Sequence, residues 1–164
     1  MLAALGLSAG AAPRITPAFI TPASAAEKNL PVPRFVALHS DKVNLRTGPG
    51  TRYPVEWVFT RRDLPVEIIA EFENWRQIRD ADGTEGWVQE HMLTGKRTVL
   101  IRGQIRVLRS KPRGDSGPIA RIEPGVVAKL LECRQEWCRV DALGANGWLR
   151  RDEVWGVFPE EVVE

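Results

Sequence analysis

The feature that most constrains this chain is an internal repeat. Asn44-Leu45-Arg46-Thr47-Gly48-Pro49, Glu73-Asn74-Trp75-Arg76-Gln77-Ile78 and Gly86-Trp87-Val88 occur in that order. Val107-Leu108-Arg109-Ser110-Lys111-Pro112, Gln135-Glu136-Trp137-Cys138-Arg139-Val140 and Gly147-Trp148-Leu149 then follow in the same order. Leu45 and Leu108 are 63 residues apart, Trp75 and Trp137 62, and Trp87 and Trp148 61. Single-residue insertions or deletions therefore separate two copies of one supersecondary unit.

The composition of each copy points to an all-β unit. Phe35-Val36-Ala37-Leu38, Val55-Glu56-Trp57-Val58-Phe59, Val66-Glu67-Ile68-Ile69-Ala70 and Trp75-Arg76-Gln77-Ile78-Arg79 are short runs rich in β-branched and aromatic residues. Turn signals at Thr47-Gly48-Pro49-Gly50 and Asp80-Ala81-Asp82-Gly83 interrupt them. No segment from Arg34 onward has a helical pattern. Closely spaced short strands of this kind predict small barrels or sandwiches. A unit of about 60 residues makes a marginal core, which docking of the two copies, and a disulfide in the second, would help.

The order Asn-Leu-Arg-Thr-Gly-Pro-Gly, Asn-Trp-Arg-Gln-Ile and Gly-Trp-Val, starting at Asn44, Asn74 and Gly86, resembles the bacterial SH3-like domain. The resemblance runs from Phe35 to near Gly156. It implies a five-stranded, strongly bent barrel, found in tandem in exported proteins, that binds cell-wall material or peptides without catalysis. The second copy departs from the pattern, because Arg113-Gly114 replaces the glycine that follows the turn proline. A ligand shared by both copies is therefore not expected. The resulting division is a signal peptide over 1–25, a linker over 26–33, one barrel over 34–97 and a second over 98–158.

Residues 1–26 differ in composition from the rest. They are rich in Ala, Leu, Gly and Pro, hold a single charge at Arg14, and end on Ala23-Ser24-Ala25. A small-x-small ending is what signal peptidase accepts, so export to the periplasm or beyond is expected. No apolar run approaches the ~20 residues that cross a bilayer, so no integral membrane segment is expected in the mature chain. Charge is balanced, with 10 basic and 11 acidic residues from Glu27 to Lys96 and 12 and 10 from Arg97 onward. That balance supplies no field for nucleic acid.

Cys133 and Cys138 flank Arg134-Gln135-Glu136-Trp137. With a turn between them they face each other across a hairpin, and a disulfide is the favoured reading over a reduced thiol pair. Metal binding would need further ligands, which the neighbourhood does not offer. No metal and no cofactor are expected.

Six Trp are present. Trp75/Trp137 and Trp87/Trp148 recur in both copies and read mainly as barrel core or groove edge. Trp57, with Tyr53 nearby, has no aromatic partner in the second copy, and unrepeated aromatics suit a ligand surface or an interface between barrels. Tyr53, Trp57, Trp75 and Trp87 are the expected ligand-binding residues. Arg46 and Arg109 each follow the repeated Leu, which predicts an ion pair or a hydrogen bond to a turn carbonyl. Trp155 is expected as a lid on the second barrel.

Gly48-Pro49-Gly50 reads as a turn. Asp80-Ala81-Asp82-Gly83-Thr84-Glu85 starts like a calcium loop, but His91 occupies the position of the closing Glu, so a hairpin turn is expected. Glu71 and Glu73 are expected to share one solvated face of a strand. His39 and His91 lie in the first copy and both cysteines in the second, and neither Ser40 nor Ser110 sits in a nucleophile-elbow pattern. The chain is thus read as a non-enzymatic exported module binding peptidoglycan peptide or an envelope protein. The alternative is a structural adaptor within an envelope assembly.

Overall fold

The structure is a computed structural model that describes residues 30–164. The expected signal peptide over 1–25, and residues 26–29 of the linker, lie outside the described residues. Among the described residues there is no α-helix. The first half forms β1 (Arg34–Leu38), β2 (Val43–Arg46), β3 (Val55–Phe59), β4 (Pro65–Phe72), β5 (Trp75–Arg79), β6 (Glu85–Gln89) and β7 (Leu93–Thr94). The second forms β8 (Thr98–Ile101), β9 (Arg106–Arg109), β10 (Pro118–Ile122), β11 (Val127–Arg134), β12 (Trp137–Ala142), β13 (Ala145–Arg150) and β14 (Val154–Trp155). Sheet order is β3-β2-β6-β5-β4-β1-β7 in one and β10-β9-β13-β12-β11-β8-β14 in the other, the same path used twice.

Seven strands per sheet replace the five that the resemblance implies. The count is higher because β1 inserts between β4 and the two-residue β7, pairing Val36 with Val66 and Leu38 with Leu93. Alternation along the strands supplies the cores. Val43 and Leu45 of β2, Val66 and Ile68 of β4, Ile78 of β5 and Val88 of β6 fill the first. Leu108, Leu130, Val140, Leu149 and the two cysteines fill the second with Val99 and Ile101. Burying each such aliphatic side chain contributes about 1.5–3 kcal/mol.

The repeated Gly-Trp pair has a steric origin. A Cβ on Gly86 would fall 2.6 Å from Cγ of Leu45 and 2.9 Å from the Arg46 carbonyl oxygen. On Gly147 it would fall 2.6 Å from Cγ of Leu108 and 2.8 Å from the Arg109 carbonyl oxygen. β6 and β13 therefore cross the inner strands at a distance only glycine permits. Register shifts recur at matched places too, between Ile68 and Ala70 and between Leu130 and Glu132. An extra residue there bends each long strand and curls its sheet.

Cys133 and Cys138 are directly opposed in β11 and β12 and joined by a disulfide, with Cα atoms 4.1 Å apart. The expected Glu71/Glu73 face is not formed. Phe72 pairs with Trp75, so Glu73 is a turn residue with φ of 50°. Glu71 accepts from Arg34 and from Arg76.

Residues 31–164 form one unit that holds both sheets. Thr98 Oγ1 donates to the Asp63 carbonyl at 2.8 Å, and Arg61 donates to the Gly125 carbonyl at 2.6 Å. Trp155 is not simply a lid on the second sheet. Its ring meets Phe35 of β1 edge-on, with centroids 5.0 Å apart, and Phe158 packs on the Phe35 ring at 4.6 Å, tilted by 41°. The C-terminal segment is fastened here as well. Glu161 binds Arg97, and Val163 exchanges backbone hydrogen bonds with Cys133. Burial pushes the Glu161 carboxyl up. Hydrogen bonds from the Arg97 side chain and the Phe158 amide, with the positive charge of Arg97, outweigh that and hold it below the carboxylate norm.

Candidate ligand-binding groove

β2 runs into the loop from Thr47 to Pro54, whose shape is set by Arg46. Its guanidinium donates to the carbonyls of Tyr53 at 2.7 Å and Thr51 at 3.2 Å. Arg109 does the same for Ser116 at 3.1 Å in the second sheet. The expected bond to a turn carbonyl is thus present in both copies. Tyr53 belongs to this scaffold. Its ring lies against Gly48, where a Cβ would stand 2.5 Å from a ring carbon. Arg52 sits over the ring at 5.1 Å and donates to its hydroxyl at 3.3 Å.

Trp57 is placed very differently. It lies on β3, which ends the sheet order and pairs on one side only, with β2. Trp57 opposes Leu45 and Phe59 opposes Val43, so both rings face inward. Yet Phe59 is 7% exposed and Trp57 is 56% exposed. The difference arises because the inner face opens at this end into a cavity of about 260 Å³. Trp57, Phe59, Leu64 and Pro65 line it with Leu100, which comes from the second sheet. Asp80 and Asp82 of the β5–β6 hairpin and Arg61 form its rim. In place of a calcium loop, Asp80 Oδ1 accepts from the amides of Asp82 at 3.0 Å and Thr84 at 2.8 Å, a hairpin turn held by an Asx bond.

Trp75 is 6% exposed, and its edge contributes to two neighbouring cavities of about 490 and 140 Å³. Thr51 and Gln89 line both. Phe72 closes the larger, while Lys42, Asn44 and Arg46 make the smaller one polar. Trp87 is half-buried, opposite Arg46 on one side and Gln77 on the other. The four aromatic residues therefore do not converge. Trp57 and Trp75 line separate grooves, Tyr53 shapes a loop and Trp87 packs in the sheet.

Sequence reasoning missed Leu100, Arg61, Asp82, Thr51 and Gln89 as groove residues. Asp80 and Asp82 were visible only as turn formers. Nothing in the order of residues brings Leu100 to Trp57; only the docking of the sheets does. His39 and His91 are both exposed. Among the described residues no group of His, Cys, Asp and Glu could hold a metal ion, and no helix is long and apolar enough to cross a membrane.

A family model described as "Bacterial SH3 domain" matches the chain twice, over residues 39–95 and 103–156. No curated protein matches it. Among solved structures, NlpC2 from Trichomonas vaginalis aligns at 14% identity and a TM-score of 0.35, over 75% of this chain and 48% of that one. NlpC1 from Trichomonas vaginalis aligns at 12% identity and a TM-score of 0.36, over 79% of this chain and 48% of that one. The chain thus spans about half the length of either.

Proposed function

Because the chain belongs to the bacterial SH3 domain family through both of its repeats, we propose that it is a non-catalytic module of the cell envelope. In this reading it binds an extended peptide, from the wall or from an envelope protein, in the groove beside Trp57.

One observation carries the reading. Trp57 is 56% exposed on an edge strand, over an apolar cavity shared by both sheets; Phe72, 51% exposed, lies beside the more polar cavity at Trp75. A large apolar ring is kept in water at a cost of order 1 kcal/mol or more unless something covers it. The second copy reinforces the point. In the register of β10 with β9, Ala120 opposes Leu108 as Trp57 opposes Leu45, so the fold itself does not require the ring.

Export belongs to the same reading. The Cys133–Cys138 disulfide suits an oxidising compartment. Non-catalytic action is in keeping with a family of binding domains.

The test is sedimentation of the full chain with purified peptidoglycan sacculi, beside Trp57→Ala. Retention of the wild type and loss of the variant supports the reading. If neither sediments, the wall is not the ligand, and the module serves an envelope protein instead.

A further inference from the structure

The groove beside Trp57 has two further properties that bear on what fills it, given the reading above that it is the binding site. The first is an open backbone edge. β3 pairs only with β2, and Val55, Glu56, Trp57 and Val58 are all exposed. Edge strands are usually blunted, by proline among other devices. The equivalent strand of the second sheet follows that rule. β10 opens on Pro118; the register slip between Pro118 and Ala120 has its match in the first sheet, where the pairing of β2 with β3 slips between Leu45 and Arg46. β3 has Val55 where β10 has Pro118, each opposing the repeated arginine of its sheet. Both strands end their sheets, and only that of the first has no proline within it.

The second property is charge. Asp41, Asp63, Glu67, Glu71, Glu85 and Glu90 of the first sheet are all ion-paired. Glu56, Glu73, Asp80 and Asp82 have no ion pair among the described residues, and of these Asp80, whose Oδ1 accepts from two backbone amides, and Asp82 lie on the rim of the groove. The one cation on the rim, Arg61, is held by its bond to the Gly125 carbonyl. The neighbouring Arg79 is committed to Glu85 at 2.7 Å and Glu67 at 3.3 Å. An apolar floor whose lip carries two carboxylates against one guanidinium, a net negative rim, complements a cationic group on an apolar stem.

We propose that the occupant is an extended peptide that adds to the free edge of β3 as a further strand and carries a Lys- or Arg-type cation to the Asp80–Asp82 hairpin. Backbone pairing supplies affinity in this mode, and alternate side chains supply selectivity. Side chains on the inner face of the added strand enter beside Trp57 and Phe59, and the next groups reach the hairpin.

The test uses fluorescence anisotropy with the full chain and labelled ten-residue peptides of alternating Val and Thr around one central position. With Lys at the centre, binding is expected to be about five- to tenfold tighter than with norleucine, and tighter still than with Glu. N-methylation of alternate backbone nitrogens, on the face that pairs, is expected to abolish binding. Asp80→Asn/Asp82→Asn keeps the turn acceptor at position 80, so it should fold normally and lose the preference for Lys. Equal affinity for all three centres, or indifference to N-methylation in both registers, overturns the proposal. So does a dimer that Trp57→Ala dissolves, since a second copy would then occupy the edge. The two readings fail separately. Loss of sacculus binding in Trp57→Ala but not in Asp80→Asn/Asp82→Asn keeps the groove and removes the cation. Selective peptide binding without sacculus binding keeps the occupant and removes the wall.

Discussion

The Arg46 guanidinium donates to the Tyr53 carbonyl at 2.7 Å, closing a loop of eight residues with one side chain. The same bond from Arg109 to Ser116 in the second sheet marks it as part of the repeated scaffold. Charge-assisted bonds to partly buried carbonyls are worth about 1.5–3 kcal/mol. Arg46→Ala is therefore expected to lower the urea unfolding free energy by about 2 kcal/mol. Both bonds leave one nitrogen, Nη1, so Arg46→Lys is expected to restore only part of the loss, because the lysine stem ends one atom short of that position.

Gly86 faces a second limit. With Leu45 Cγ 2.6 Å and the Arg46 carbonyl oxygen 2.9 Å from any added Cβ, Gly86→Ala must push β6 away from β2. Overpacking of this kind costs about 1–3 kcal/mol. Gly95→Ala is the matched control, with nothing within 4 Å, and is expected to change stability by less than about 0.5 kcal/mol. Thermal melts of the two variants check both numbers.

Replacing Cys133 and Cys138 together by serine opens a short loop. The chain-entropy model assigns such a loop about 2 kcal/mol. Because both sheets belong to one unit, the unfolding midpoint of the chain should fall in urea. A mass difference of two hydrogens on reduction would identify the bond directly.

The Arg97–Glu161 pair gives a pH dependence whose sign follows from Glu161. Its folded pKa lies below the ordinary value of 4.5, so the folded chain binds that proton less readily than the unfolded chain. The stabilisation is fully present above pH 4.5. It is lost as the pH falls through the lower folded value. Both side chains are about a quarter exposed, so solvent screens the pair and its contribution is expected to be of order 1 kcal/mol. Acid unfolding of wild type and Glu161→Gln should differ near neutral pH and converge in strong acid.

Much of the fold is legible in the chain because the repeat exposes it. The Leu-Arg, Trp-Arg and Gly-Trp anchors recur where β2, β5 and β6 and their counterparts pack, and the carbonyl bonds of Arg46 and Arg109 follow from their shared place after the leucine. Cys133 and Cys138 face each other because a tight hairpin makes them opposite. The groove was legible only in part. Trp57 stood out as an unrepeated aromatic, but Tyr53, equally unrepeated, is spent against Gly48. Leu100 and Trp155 were beyond reach, since both take their positions from the docking of one sheet on the other. Glu73 was misplaced because a two-residue turn with a positive φ at glutamate has weak sequence signals.

The measurement that bears most directly on the account is sedimentation of the full chain with purified sacculi, wild type beside Trp57→Ala, with circular dichroism of both. The account predicts that the wild type pellets with the walls, that Trp57→Ala stays in solution, and that both melt alike. A Trp57→Ala protein that pellets as well as the wild type, or that unfolds the first sheet, would contradict it.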